Sequence, residues 1–234
     1  MSPYEKAWQD VRSRIARAAR EAGRDPEAIQ VLAVGKGQTA EAIRALYALG
    51  QRAFGENYVQ EAEAKAELLA DLHDIEWHLI GPLQSNKARL AAQRFAWVET
   101  LDRLKIAERL SATRDARLPA LSVCVQVNIS GEASKSGVEP EAAPALLRSV
   151  ATLPRIALRG LMGIAEPTPD LARQRAQFRI LRELSESARA EGLPLDTLSM
   201  GMSADLEAAV AEGATLVRIG TALFGPRSQG DKGA

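Results

Sequence analysis

The sequence is poor in the residues that hold small secreted domains and metal sites together. Its 234 residues include one cysteine, Cys124, and two histidines, His73 and His78. A single cysteine excludes an internal disulfide framework and any cysteine-cluster metal site. Two histidines leave little material for a zinc site. We therefore expect no bound metal.

The chain also lacks a net charge and a long apolar run. Its 30 lysine and arginine residues balance its 30 aspartate and glutamate residues, so no excess of positive charge points to nucleic acid or to an anionic membrane. No segment approaches the ~18 consecutive apolar residues of a membrane span, and the N-terminus lacks the apolar core of a secretory signal. We expect a soluble, cytoplasmic, single-domain protein without nucleic-acid or membrane partners.

What the chain does contain is a repeated unit, in which a short apolar run precedes a helical stretch that ends at Gly or Pro. The run at Gln30–Val34 and the run at 121–129 are clear examples. Eight such units lie between Gln30 and Pro226, at about 25 residues each, which is close to the minimum for a parallel βα unit. The pattern predicts a (β/α)8 TIM-type barrel. A doubly wound open sheet is the alternative.

An additional helix is predicted ahead of the barrel. Ser2 and Glu5 have the spacing of a capping box, and Pro3 suits the first helical position. Apolar residues then recur at spacings of three and four, as on one face of a helix. The predicted parts are an N-terminal helix that packs on the barrel (1–28), the barrel itself (29–227) and a flexible tail (228–234).

In a barrel of this type the active site lies at the C-terminal ends of the strands, so residues that follow each strand are site candidates. Lys36 follows the first strand; it is either a solvated turn residue or a desolvated amine suited to a Schiff base. Ser203 follows the seventh strand, either as a plain N-cap or beside N–H groups that bind phosphate. Gly220 and Thr221 follow the eighth strand. Loops seven and eight often hold phosphate in this fold.

Other polar residues in and after the strands allow two interpretations. Arg218 lies within the eighth strand and needs either an anionic ligand or an internal carboxylate such as Glu56. Asn57 either contacts a ligand or caps the next helix. We expect His78 to be a structural histidine, and Cys124 to behave as a small buried hydrophobe.

Several segments resemble one known family. The longest read FGENYVQE at 54–61 and WHLIGPLQSNK at 77–87. Through them the chain resembles the pyridoxal 5′-phosphate (PLP) homeostasis proteins, single-domain PLP-binding barrels similar to the N-terminal domain of bacterial alanine racemase. Shorter matching segments lie in the same order at 33–36, 127–130, 134–137, 159–162, 198–203 and 217–221.

The resemblance implies a cofactor site at the mouth of the barrel. Lys36 would carry PLP as a Schiff base. Ser203, Gly220 and Thr221 would hold the phosphate, and Arg218 would face the pyridine nitrogen. The implied cofactor-binding residues are Lys36, Asn57, Met202, Ser203, Arg218, Gly220 and Thr221.

The resemblance also implies a function. An arginine at the pyridine nitrogen leaves it unprotonated and weakens the electron sink that PLP catalysis uses. We therefore expect a PLP carrier in intracellular PLP homeostasis, without catalytic residues or robust catalysis, with PLP-dependent apoenzymes as recipients. Because the chain ends soon after the eighth strand, we expect no second domain and a monomer. The alternatives are an amino-acid racemase, with Tyr58 or His78 as second base, and a lysine Schiff-base aldolase acting on a phosphosugar.

Three positions around Lys36 depart from the usual residues of that family. Gly35 and Gly37 stand where the family has a serine and a threonine, and Gln38 stands where it often has a second lysine. Lys36 itself remains, so the expected attachment point is kept. The hydrogen bonds around Lys36, and any role for a second nearby amine, are expected to differ.

Overall fold

Eight parallel strands close into a barrel in the computed structural model, which describes residues 2–131 and 136–225. Each strand pairs with the next along the chain, and the first pairs with the last. The predicted (β/α)8 TIM-type fold is confirmed, and the alternative prediction of a doubly wound open sheet is wrong. The strands are β1 (Gln30–Val34), β2 (Ala53–Glu56), β3 (Glu76–Leu79), β4 (Trp97–Leu101), β5 (Leu121–Gln126), β6 (Ile156–Met162), β7 (Thr197–Ser199) and β8 (Leu216–Ile219).

Apart from the N-terminal helix, which precedes the first strand, helices follow the strands and lie outside the sheet, with their apolar faces turned to it. Alanines and leucines form these faces, and they pack on a core that includes the fully buried Phe54, Phe95 and Phe178. The helices are α1 (Pro3–Glu21), α2 (Ala40–Ala48), α3 (Val59–Leu68), α4 (Ala88–Arg94), α5 (Leu104–Thr113), α6 (Ala143–Ala151), α7 (Leu171–Ala190), α8 (Leu206–Ala211) and α9 (Thr221–Phe224).

The N-terminal helix α1 has the predicted capping box. The Ser2 hydroxyl accepts from the Glu5 N–H, and the Glu5 carboxylate accepts from the Ser2 N–H, so two otherwise unpaired donors are satisfied. The helix packs on α8 and α9, and the rings of Tyr4 and Phe224 meet edge to face with centroids 6.4 Å apart. The boundaries after residues 28 and 227 stay predictions, and the tail at 228–234 lies outside the described residues.

Close strand packing depends on Gly160 in β6. A Cβ atom at this position would lie 1.7 Å from the carbonyl oxygen of Thr197 in β7, which is far inside contact distance.

On the neighbouring strand β5, Cys124 is fully buried, and burial raises the pKa of its thiol. The prediction that Cys124 packs as a small hydrophobe is thus confirmed.

No helix in the described ranges is long and apolar enough to cross a membrane. The same residues contain no group of three or more His, Cys, Asp or Glu side chains arranged to hold a metal ion.

Candidate functional site

Lys36 lies directly after β1, at the C-terminal end of the barrel. It is half-buried between Gly35 and Gly37, and Gly37 adopts a left-handed backbone (φ +68°) that suits glycine. The Lys36 Nζ atom is 5.3 Å from the centroid of the Tyr58 ring, within cation–π range. The lysine after β1 and the segment after β2 therefore meet at the barrel mouth.

Asn57 precedes Tyr58 in that second loop and is half-buried. The proposed capping role of Asn57 is wrong, because Tyr58 takes the N-cap position of α3 and makes no side-chain cap. The main chain is packed tightly here: a Cβ atom on Gly81 would lie 2.1 Å from the Asn57 carbonyl oxygen. Asn57 is thus held by its backbone at the rim, beside the Lys36 loop.

The loops after β7 and β8 contact each other. The Ser203 hydroxyl accepts from the Ala222 N–H at 3.4 Å. The register of β8 against β1 sets Ile219 opposite Ala33. Gly220 therefore lies beside Val34, since an added Cβ would be 3.6 Å from the Val34 Cβ. The two loops thus come together next to the strand that carries Lys36.

Ser203 is not a helix N-cap, so that prediction is wrong. Helix α8 begins three residues later, with Asp205 at its N-cap position. The Asp205 carboxylate turns back and accepts from the Met202 N–H at 2.5 Å, which closes a tight turn between β7 and α8. Burial raises the pKa of Asp205, while the bond to Met202 opposes that shift. The turn leaves the Ser203 hydroxyl directed at α9.

A cavity of about 350 Å³ lies beside this turn, within the usual size range of small-molecule pockets. Met202 and Asp205 line one side of it, and the segment after β6, including Ala165 and Pro167, lines another. Met202, a predicted cofactor-binding residue, therefore borders an open volume between the segments that follow β6 and β7.

Arg218 is buried inside the barrel and donates to three acceptors. Its Nη1 reaches the carbonyl and hydroxyl oxygens of Ser199 at 2.6 and 2.8 Å, and its Nη2 reaches the Gly163 carbonyl at 2.8 Å. Burial lowers the pKa of Arg218, but a guanidinium stays charged in proteins. The suggested internal pair with Glu56 is wrong, because Glu56 accepts from Lys65 instead, at 2.8 Å.

A line of buried polar groups continues from Arg218 across the barrel. The Ser199 hydroxyl donates to Glu99 Oε2 at 2.5 Å, and Glu99 Oε1 lies 2.6 Å from His78 Nδ1. His78 Nε2 then faces the Glu76 carboxylate at 3.8 Å. Burial alone lowers the pKa of His78, but the two carboxylates outweigh it, and the pKa is raised.

Glu99 has the opposite shift. Burial alone raises its pKa, but His78 and Arg218 lower it, so the pKa is below its ordinary value. The His78 ring also stacks on Trp97 with centroids 5.1 Å apart. His78 is therefore a structural residue of the interior, as predicted, and we call the buried set His78, Glu99, Ser199 and Arg218 the interior polar line.

Three comparisons with known proteins agree with this geometry. The family described as "Alanine racemase, N-terminal domain" matches residues 8–228. The pyridoxal phosphate homeostasis protein of Pseudomonas aeruginosa is 59% identical over 230 residues, which are 98% of each chain. The solved structure of PipY from Synechococcus elongatus with PLP bound has a TM-score of 0.78 and 42% identity, over 90% of this chain and 99% of that one.

An alanine racemase from Clostridium difficile shares the fold alone. It has a TM-score of 0.75 at 14% identity, over 94% of this chain and 56% of the racemase. The barrel, the order of its loops and the full-length match to close relatives lead to one assignment. The chain belongs to the pyridoxal phosphate homeostasis protein family, whose barrel is of the alanine racemase N-terminal type.

Proposed function

We propose that this protein binds PLP at the C-terminal mouth of its barrel, carries it as a Schiff base on Lys36, and serves intracellular PLP homeostasis. The observation that carries the proposal is the convergence of three loops. The loops after β7 and β8 meet through Ser203 and Ala222, and Gly220 lies beside Val34, two residues before Lys36. The 42%-identical PipY structure, which holds PLP, has the same barrel.

The donor set fits the chemistry of PLP. When bound, PLP supplies an aldehyde with which the Lys36 amine condenses with loss of water. The first N–H groups of a helix have no partner within that helix, so Thr221, at the start of α9, offers a backbone donor to phosphate. Ser203 adds a hydroxyl, and Gly220 has no Cβ to block close approach. Asn57 and Met202 border the same mouth.

Arg218 favours a role as a PLP carrier over a role in catalysis. Its guanidinium would present a cation to the pyridine nitrogen, which disfavours protonation of that nitrogen and so weakens the electron sink. The relatives are named as homeostasis proteins, in agreement with this role. PLP-dependent apoenzymes as recipients, a cytoplasmic location and a monomeric state are further parts of the proposal.

The experiment is an absorption spectrum of the purified protein before and after borohydride, with mass analysis of the Lys36 peptide. We expect a yellow protein whose colour borohydride removes, with one reduced PLP on Lys36. Lys36→Ala should be colourless, whereas the matched control Lys105→Ala, at an exposed position of α5, should match the wild type. A Lys36→Ala protein as yellow as the wild type would refute the attachment site.

A second arm tests the phosphate loops. Ser203→Ala should release PLP about tenfold faster, as expected for loss of one hydrogen bond to a charged group. Unchanged release would exclude Ser203 from the site. Interconversion of D- and L-amino acids above the rate with free PLP would support the racemase alternative. A colourless wild type that acts on a phosphosugar would support the aldolase.

A further inference from the structure

A second lysine, Lys65, is buried directly behind the Lys36 loop. It lies in α3, and its Nζ donates to the Gly35 carbonyl at 2.7 Å, to Glu56 Oε1 at 2.8 Å and to Glu61 Oε1 at 2.7 Å. An ammonium group has three hydrogens, and all three are used. The Lys65 side chain is therefore held in place by three acceptors.

Glu61 holds the other side of the same loop. Its Oε1 accepts from the Gly37 N–H at 2.7 Å as well as from Lys65. The carbonyl that precedes Lys36 and the N–H that follows it are thus both bound by one turn of α3. We call this pair of side chains, Lys65 and Glu61, the loop clamp.

The loop has one backbone hydrogen bond of its own, from the Gln38 N–H to the Gly35 carbonyl at 2.8 Å. Gly35 and Gly37 flank Lys36, and glycine has the greatest backbone freedom of any residue. The Lys36 amine also lies at the end of a flexible four-carbon stem. Glu56 completes the support, since a Cβ atom on Gly35 would lie 2.6 Å from its Oε1. The bonds from outside the loop therefore add to its single internal bond in setting the position of the amine.

We infer that Lys65 and Glu61 are positioning residues, which fix the two peptide groups on either side of Lys36 and so hold its amine at the mouth of the barrel. The inference deepens the proposed function and rests on it, because positioning matters only if Lys36 carries PLP. The clamp itself acts through the backbone and touches neither the Lys36 side chain nor the loops after β7 and β8 in the contacts described.

The test compares three variants with the exposed control Lys105→Met. Glu61→Leu removes the acceptor of the Gly37 N–H and of the Lys65 Nζ, whereas Glu61→Gln keeps an oxygen that can accept from both groups. Lys65→Met keeps the length of the side chain and removes its donors. We expect Glu61→Leu and Lys65→Met to lose PLP about tenfold faster, since charge-assisted hydrogen bonds are involved. They should also shift the pH midpoint of the visible absorption band.

A readout without PLP separates the clamp from general stability. In the apoprotein, hydrogen exchange of the Gly37 amide should be about tenfold faster in Glu61→Leu than in the wild type, while Glu61→Gln restores slow exchange. Exchange within α5 should stay unchanged in both.

The outcomes distinguish the clamp from the proposed function. If the wild type shows no Lys36-linked PLP, the proposed function fails. If PLP is on Lys36 but Glu61→Leu keeps the wild-type release rate, pH midpoint and Gly37 exchange, the clamp inference is overturned while the function stands. Should Lys65→Met fail to fold, the Glu61 pair of variants decides alone.

Discussion

Glu56 is a fully buried carboxylate that packs against the Lys36 loop from the interior of the protein. Within the described parts of the chain its Oε2 atom has no hydrogen-bond partner. Burial raises the pKa of Glu56 from 4.5 to about 7, although the neighbouring Lys65 opposes the shift. The folded protein therefore holds a proton at Glu56 over a pH range in which the unfolded chain has released it.

This proton gives a prediction for the stability of the protein. Because the folded-state pKa is the higher one, the Glu56 contribution is most favourable below pH 4.5 and is lost as pH rises towards about 7. The slope is about 1.4 kcal/mol per pH unit at most. We expect the unfolding free energy of the wild type to fall, relative to that of Glu56→Gln, as the pH rises through this range. Denaturation of both proteins at several pH values measures this difference. A constant difference would contradict the raised pKa.

The location of a single residue was predictable from the sequence where it depends only on the residue's place directly after a strand. Lys36, Ser203 and Gly220 could be assigned to one mouth because a parallel barrel gathers all such positions at one end. The partner of Glu56 was not predictable, because Lys65 reaches it from the inner face of α3, and nothing in the local pattern shows that face to be buried. The i,i+4 spacing of Glu61 and Lys65 was the one local signal of the clamp.

At the scale of elements, the capping box of α1 tests how much one helix end contributes. Ser2→Ala removes the acceptor of the Glu5 N–H and should lower the free energy of unfolding by about 1 kcal/mol. Urea denaturation measures the change. Ser13→Ala, at an exposed position of the same helix, is the control and should be close to neutral. Equal stability of the two variants would show that the cap contributes nothing.

Element boundaries followed the sequence where local chemistry alone determines them. The β-branched run Gln30–Val34 forms β1 with the predicted limits, and Ser2 begins α1 as its capping pattern predicts. The start of α8 differs, because the Asp205 side chain bonds to the Met202 N–H and moves the helix start to Leu206. Serine and aspartate are both good N-caps, so their order in a turn depends on packing that the pattern does not contain.

At the scale of the whole molecule, the interior polar line ties four strands together, namely β3, β4, β7 and β8. Its centre is the buried pair of Glu99 and His78, 2.6 Å apart, and breaking a buried pair typically costs about 3 kcal/mol or more. Glu99→Gln should therefore be strongly destabilised, whereas Glu67→Gln, at an exposed position of α3, should not be.

The pH dependence of that effect follows from the raised pKa of His78. Its stabilising charge is fully present below its ordinary value of 6.5 and is lost as pH rises through the raised folded-state value. Denaturant titrations of wild type and Glu99→Gln should therefore differ most below pH 6.5 and converge in alkali. A difference that is independent of pH would mean that His78 is neutral in the folded protein.

The contact between Tyr4 and Phe224 brings the first helix of the chain against α9. With β1 hydrogen-bonded to β8, no strand of the barrel is first or last in a physical sense, and every strand has two neighbours. A circular permutant that links α9 to α1 and opens a loop at the N-terminal end of the barrel would therefore keep all eight strand pairings and leave the Lys36 loop uncut. The order of the strands and helices along the chain could thus be changed without altering the site.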